Sequence, residues 1–75
     1  MFSSKNRVGI VGLGYVGLPL AVEFSKSFAV VGFDTNSKRI QELRHGEDKT
    51  REVSASQLQQ CENLHFSSEV ADLEF

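Results

Sequence analysis

One stretch constrains the fold of this chain more than any other. Residues 7–11, Arg-Val-Gly-Ile-Val, are a short apolar run of β type, and Gly12, Gly14 and Gly17 follow it in the pattern G-x-G-x-x-G. A helical pattern opens behind the glycines. A second apolar run, residues 29–33, ends on Asp34, 17 residues after the last glycine. A lone G-x-G-x-x-G says little. Set between strand and helix and followed by an acid at the end of the next strand, it describes the turn of a βαβ unit that holds a dinucleotide.

Each part has a physical task. Gly12 lets the chain turn sharply off the first strand. Gly14, having no Cβ, lets a pyrophosphate approach the backbone, and Gly17 lets the helix lie close against the sheet. The helix start offers free N–H groups and a partial positive charge to phosphates. Asp34 can accept hydrogen bonds from the adenosine ribose hydroxyls. Its carboxylate repels a 2′-phosphate, so the expected cofactor is NAD rather than NADP.

Length bounds the rest. A dinucleotide site of this kind is built from two βαβαβ halves, and 75 residues accommodate the first. The expectation is therefore an α/β fold: the first half of a Rossmann fold, a three-stranded parallel sheet in the order 3-2-1 with flanking helices. Residues 1–75 would be the N-terminal portion of an NAD-binding domain, a fragment of a longer enzyme. They would carry no catalytic residue and no metal site. A net charge of −2 gives no basic patch for nucleic acid. No apolar run approaches the roughly 20 residues that span a membrane. Residues 1–7 lack the apolar core of a signal peptide, and Cys61 is the only cysteine. The expected location is the cytoplasm.

Taken in order, residues 1–6 are polar and expected to fray. The first strand covers 7–11, and its near-continuous apolarity suits a parallel strand covered on both faces. A helix is expected from about Tyr15 to Ser27, with Val16, Leu20, Phe24 and Phe28 as its sheet-facing stripe, joined by Ala21. Pro19 falls near the end of its first turn. Residues 29–33 form the second strand, in which Gly32 marks a close backbone approach. Ser37 or Thr35 should cap a second helix with Ile40 and Leu43 on its apolar side, stopped by Gly46 in the left-handed region. Residues 46–53 read as a solvated charged loop. Ser54 and Gln57 form a capping box before a short helix carrying Leu58 and Cys61. Leu64-His65-Phe66 gives the third strand, and Ser67 or Ser68 could cap a last helix over Glu69 to Leu73. The free edge of the first strand is an association hazard.

The run Gly12-Leu13-Gly14-Tyr15-Val16-Gly17-Leu18-Pro19-Leu20-Ala21-Val22-Glu23-Phe24 is more particular than a generic glycine turn. It resembles the start of the UDP-glucose/GDP-mannose dehydrogenase family, most of all the bacterial UDP-N-acetylhexosamine 6-dehydrogenases of polysaccharide synthesis. Val31-Gly32-Phe33-Asp34 through Arg39-Ile40 and Leu64-His65-Phe66-Ser67-Ser68-Glu69 match as well. The resemblance implies a two-step oxidation of a sugar C6 hydroxyl to a carboxylate with two NAD, by a homo-oligomer whose catalytic cysteine and its helpers lie downstream. It also implies that Gly12, Leu13, Gly14, Tyr15, Val16 and Gly17 form the turn around the pyrophosphate. Asp34 then reads the ribose, and Arg39, five residues later, lies beside the adenosine end.

The remaining polar side chains carry plainer expectations. Lys38 reads as a surface charge, Cys61 as a small buried hydrophobe, and His45 and His65 as structural. Two other functions use a glycine turn and a strand-end acid: the NAD-sensing domain of a channel or transporter, and a β-hydroxyacid dehydrogenase. The Tyr-Val-Gly-Leu-Pro-Leu-Ala continuation favours the nucleotide-sugar enzyme.

Overall fold

In a computed structural model, which describes residues 2–4 and 7–74, the chain forms one four-stranded sheet with helices against it. In chain order the elements are β1 (Phe2–Ser4), β2 (Arg7–Val11), α1 (Gly17–Ser25), β3 (Ala29–Phe33), α2 (Ser37–Arg44), α3 (Ala55–Gln59), β4 (Leu64–Ser67) and a 3₁₀ turn, Val70–Leu73. Strands β2, β3 and β4 are parallel neighbours, so the expected three-stranded sheet in the order 3-2-1 is present.

Residues 2–4 correct the expectation of fraying. They pair antiparallel with β2, Phe2 opposite Gly9 and Ser4 opposite Arg7. The edge of β2 that was expected to stand open is thus covered. Unpaired edge N–H and C=O groups recruit whatever extended chain lies within reach, and here the chain's own N-terminal segment supplies it. Residues 1, 5 and 6 of the same expectation lie outside the described residues.

The register explains the core. Val8, Val30 and Leu64 form one cross-strand row, and Ile10, Gly32 and Phe66 the next on the same face. Helices α1 and α2 bury that face through Leu18, Ala21, Val22, Ile40 and Leu43. The opposite face carries Arg7, Val11 and His65, exposed, and Val31, half-buried, so the cover on both faces expected of the first strand is incomplete on this side.

Helix α1 sits rotated from its expected orientation. Of the expected stripe, Ala21 is buried and Phe24 packs partly buried against the core, whereas Val16 and Leu20 are 79% and 41% exposed and Phe28 is exposed too; Leu18, Val22 and Ser25 are buried in their place. Both stripes have helical spacing, because the segment is apolar nearly all round, and periodicity cannot choose between them. The buried stripe carries the smaller residues Ala21 and Ser25, which bring the helix axis close to the sheet. Its cost in polarity is met locally: the Ser25 hydroxyl donates to the Val22 carbonyl at 2.7 Å.

Helix α2 is capped by Asn36, between the two expected caps. The Asn36 side chain accepts from the Arg39 N–H at 3.2 Å. Gly46 ends this segment at φ +80°, as expected. Arg44 ties α2 to β4, its Nε and Nη2 donating to the Phe66 carbonyl at 3.1 and 2.7 Å. The capping box of Ser54 and Gln57 is formed. The last segment is a 3₁₀ turn rather than an α-helix, and the Ser67 hydroxyl accepts the Glu69 N–H at 3.0 Å just ahead of it.

The loop 46–53 departs furthest from expectation. Glu47, Lys49, Arg51 and Glu52 are exposed, but the Asp48 side chain is fully buried. Its Oδ1 accepts from the Thr50 N–H at 2.9 Å and the Thr50 hydroxyl at 2.6 Å, and its Oδ2 from the N–H groups of Glu52 and Val53, both at 2.9 Å. The loop folds around this carboxylate. Desolvation pushes the Asp48 carboxyl up, but the bonds from Thr50, Arg39 and the backbone N–H groups of Val53 and Thr50 outweigh it and hold the pKa at about 2, below the ordinary 3.8. A carboxyl lowered on folding stabilises the protein above its ordinary pKa, and that contribution is lost as pH falls from about 4 through about 2. The expected loss is about 2 kcal/mol. Urea unfolding at a series of pH values checks it: the parent should lose this increment between pH 4 and 2, and Asp48→Asn should not.

Candidate dinucleotide site

The site forms at the carboxyl ends of β2 and β3. Gly12 leaves β2 at φ +89°, a backbone conformation that side-chain-bearing residues rarely adopt. Its N–H donates to the Phe33 carbonyl at 2.8 Å, which fixes the turn to the end of the neighbouring strand. From there the chain passes through Leu13 to Gly14, Tyr15 and Val16 and enters α1.

Leu13 is held on every side. Its N–H donates to Asp34 Oδ2 at 2.9 Å. Its carbonyl accepts from Arg39 Nε at 2.9 Å and Nη2 at 2.6 Å. Its side chain is fully buried against Gly32, where a Cβ would lie 3.0 Å from a Leu13 methyl. The close approach expected at Gly32 is therefore with the glycine turn itself.

Beyond Leu13 the character changes. Tyr15 is 68% exposed, and with Val16, Val11 and Leu20 it borders an open cleft at the glycine turn. Among the described residues no hydrogen bond engages the N–H of Gly14, Tyr15 or Val16, and no side chain caps the N-terminus of α1. A Cβ built on Gly14 would meet nothing within 4 Å. Gly17 is the opposite case: a Cβ there would lie 1.6 Å from the Gly12 carbonyl oxygen. Gly17 thus closes the helix onto the turn, a tighter contact than the helix–sheet approach expected of it.

Asp34, half-buried, follows the end of β3 and is joined to the glycine turn through the Leu13 N–H. Besides the Leu13 N–H it accepts the Asn36 N–H on Oδ1 at 2.9 Å. A carboxylate has about four acceptor positions, so two bonds to protein leave about two outward. Arg39 lies deeper than a free recognition side chain. Its Nη1 donates to Asp48 Oδ1 at 2.8 Å, and its side chain is 10% exposed. Three of its five N–H groups are committed within the chain.

The structure therefore brings Gly12, Leu13, Gly14, Tyr15, Val16, Gly17, Asp34 and Arg39 to one corner. It divides them into an outer set that faces solvent and an inner set that shapes the turn. Asp48 was not anticipated there. The available signal was Asp48-Lys49-Thr50, in which an aspartate accepts from the backbone two residues on. The His45 Nδ1–H donates to the Gln41 carbonyl at 2.7 Å, and Cys61 packs half-buried against the core with Sγ 3.0 Å from the Gln57 carbonyl. No helix among the described residues is long and apolar enough to cross a membrane.

Comparison with known proteins places this corner in context. Residues 6–74 match the model of the UDP-glucose/GDP-mannose dehydrogenase family, NAD binding domain. The chain is 56% identical over 68 residues to a UDP-N-acetyl-D-glucosamine 6-dehydrogenase of Pseudomonas aeruginosa, covering 91% of this chain and 16% of that one. It is 55% identical over 64 residues to the enzyme of the same name from Salmonella typhi, covering 85% and 15%. The fold superposes on the UDP-D-ManNAc dehydrogenase of Pyrococcus horikoshii with TM-score 0.82 at 32% identity, over 89% of this chain and 17% of that one. The chain thus spans about one sixth of the length of these relatives.

Proposed function

Because the chain belongs to the UDP-glucose/GDP-mannose dehydrogenase family through its NAD binding domain, we propose that it forms the adenosine and pyrophosphate half of the NAD site in a nucleotide-sugar 6-dehydrogenase. On this reading residues 1–75 are the N-terminal portion of the Rossmann domain. The whole enzyme oxidises the C6 hydroxyl of a UDP-N-acetylhexosamine to the uronate with two NAD. The substrate class rests on the names of the relatives, and the homo-oligomeric state and cytoplasmic location rest on family resemblance alone.

The residues present fit the cofactor. The open space at Gly14 leaves room for a pyrophosphate against the backbone, and the unengaged N–H groups of Tyr15 and Val16, at the uncapped start of α1, suit its charge. Bound NAD would accept hydride from the sugar carbon. This chain's residues bind and orient it. The turn from Gly12 to Gly17 would hold the phosphates, Asp34 would accept from the ribose hydroxyls and repel a 2′-phosphate, and Arg39 would lie beside the adenosine end.

The observation that carries this reading is Asp34, a strand-end carboxylate fixed by two backbone N–H groups with acceptor positions left over. In the full-length enzyme, Asp34→Asn should weaken NAD binding by about 1 to 3 kcal/mol, the scale of a lost charged hydrogen bond. It should also narrow the preference for NAD over NADP. Titration of both cofactors tests this, and an unchanged NAD:NADP ratio would remove Asp34 as the ribose reader.

A further inference from the structure

We propose that Asp48 is a positioning residue for the nucleotide-binding turn, acting through the Arg39 guanidinium on the Leu13 carbonyl. The inference rests on the assignment of residues 12–17 to NAD and adds a residue outside that motif.

The chain of contacts is short and enclosed. Asp48 accepts Arg39 Nη1 at 2.8 Å, and the other side of the same guanidinium donates twice to the Leu13 carbonyl, at 2.9 and 2.6 Å. A planar guanidinium held at one nitrogen by a carboxylate has its remaining N–H vectors fixed in direction. Asp48 is itself held by four further bonds from Thr50, Glu52 and Val53, so it is a rigid anchor. Leu13 is the residue immediately before Gly14, and Tyr15 and Val16 follow. An error in the Leu13 peptide plane is passed directly to the N–H groups that face the cleft.

Stability alone does not account for this arrangement. Much of what holds the Asp48 carboxylate comes from Thr50 and the backbone N–H groups of its own loop, none of which reaches the turn. An apolar pair of similar volume would fill the space, but it could not direct two N–H groups at one carbonyl. Arg39 also retains N–H groups outside these bonds, so its contact with the adenosine end and its grip on Leu13 are compatible. Asp48 then sets where that contact is made.

The test is steady-state kinetics on the full-length dehydrogenase carrying Asp48→Asn. Asparagine keeps the shape but cannot accept on both sides. The expected result is a rise of about tenfold in KM for NAD, with kcat at saturating NAD within about twofold and KM for the nucleotide sugar unchanged, since displaced binding groups act on the cofactor they hold. A double-mutant cycle adds the decisive arm. In an Arg39→Gln background the Asp48 substitution should have no further effect on KM for NAD, because its only route to the turn is gone. If Asp48→Asn does not fold, Thr50→Val removes one bond to the same carboxylate oxygen and should raise KM for NAD by about twofold. A lowered melting temperature with unchanged KM for NAD would overturn the proposal, leaving Asp48 a loop anchor only. Equal effects with and without Arg39 would overturn it too. Asp34→Asn, run in parallel, separates the two levels. If it leaves cofactor preference unchanged, the site assignment itself fails. If it acts and Asp48→Asn does not, only this inference fails.

Discussion

Gly17→Ala is expected to cost the protein its fold at the turn, and with it all dinucleotide binding. The added Cβ would lie 1.6 Å from the carbonyl oxygen of Gly12 and 2.8 Å from its carbonyl carbon. Both are backbone atoms, so no rotamer change relieves the clash. Gly12 cannot move away either, since its N–H is tied to Phe33 and its φ of +89° is set by the turn. The remaining response is for α1 to lift off the sheet, which exposes Leu18, Ala21 and Val22. Overpacking a core typically costs 1–3 kcal/mol, and a clash between backbones belongs at or above about 3 kcal/mol. That is a large part of the whole stability of a small domain. Urea unfolding followed by circular dichroism, with an NAD titration on the same sample, measures both losses. A variant with parental stability would mean that the helix does not meet the turn as described.

Gly14→Val should behave in the opposite way. Nothing lies within 4 Å of a Cβ at this position, and its φ is not in the left-handed region, so the fold should accept the side chain. What a valine fills is the space that a pyrophosphate needs for close approach to the backbone. NAD affinity should fall by at least about a hundredfold, or about 2.7 kcal/mol, while the melting temperature stays near the parental value. Calorimetric titration beside a thermal melt decides it, and retained affinity in a folded variant would refute the pose. Two glycines of one motif, three residues apart, thus separate folding from binding.

That separation was only partly legible beforehand. The motif assigned Gly14 to the pyrophosphate and Gly17 to close helix packing, but it did not show that Gly17 meets the Gly12 carbonyl rather than the sheet. The parallel strands, a close approach at Gly32, Gly46 and the capping box at Ser54 were readable, because each shows in a few neighbouring residues, but that Gly32 meets Leu13 of the turn was not. The buried face of α1 was not, since an almost wholly apolar helix offers two stripes and the sheet chooses. The cap of α2 fell within Thr35-Asn36-Ser37, three capable residues in a row, and only the helix start decides among them. Arg39 could be placed near the site but not assigned its bonds, because its partners lie 26 residues upstream and 9 downstream. Asp48 was hidden by its company. In Gly-Glu-Asp-Lys-Thr-Arg-Glu-Val, four exposed charges surround a buried one, and composition cannot tell them apart.

The three-sided grip on Leu13 has a thermodynamic consequence. A turn fixed by its own fold has little conformational freedom left to lose on binding a dinucleotide, so more of the contact energy is expressed as affinity. That ordering is supplied by the fold, through Asp34, Arg39 and Gly32. On the proposed function, the glycine turn is then a receptor ordered by the fold rather than by its ligand. Changes far from the cleft can therefore alter affinity without touching any atom of the cofactor.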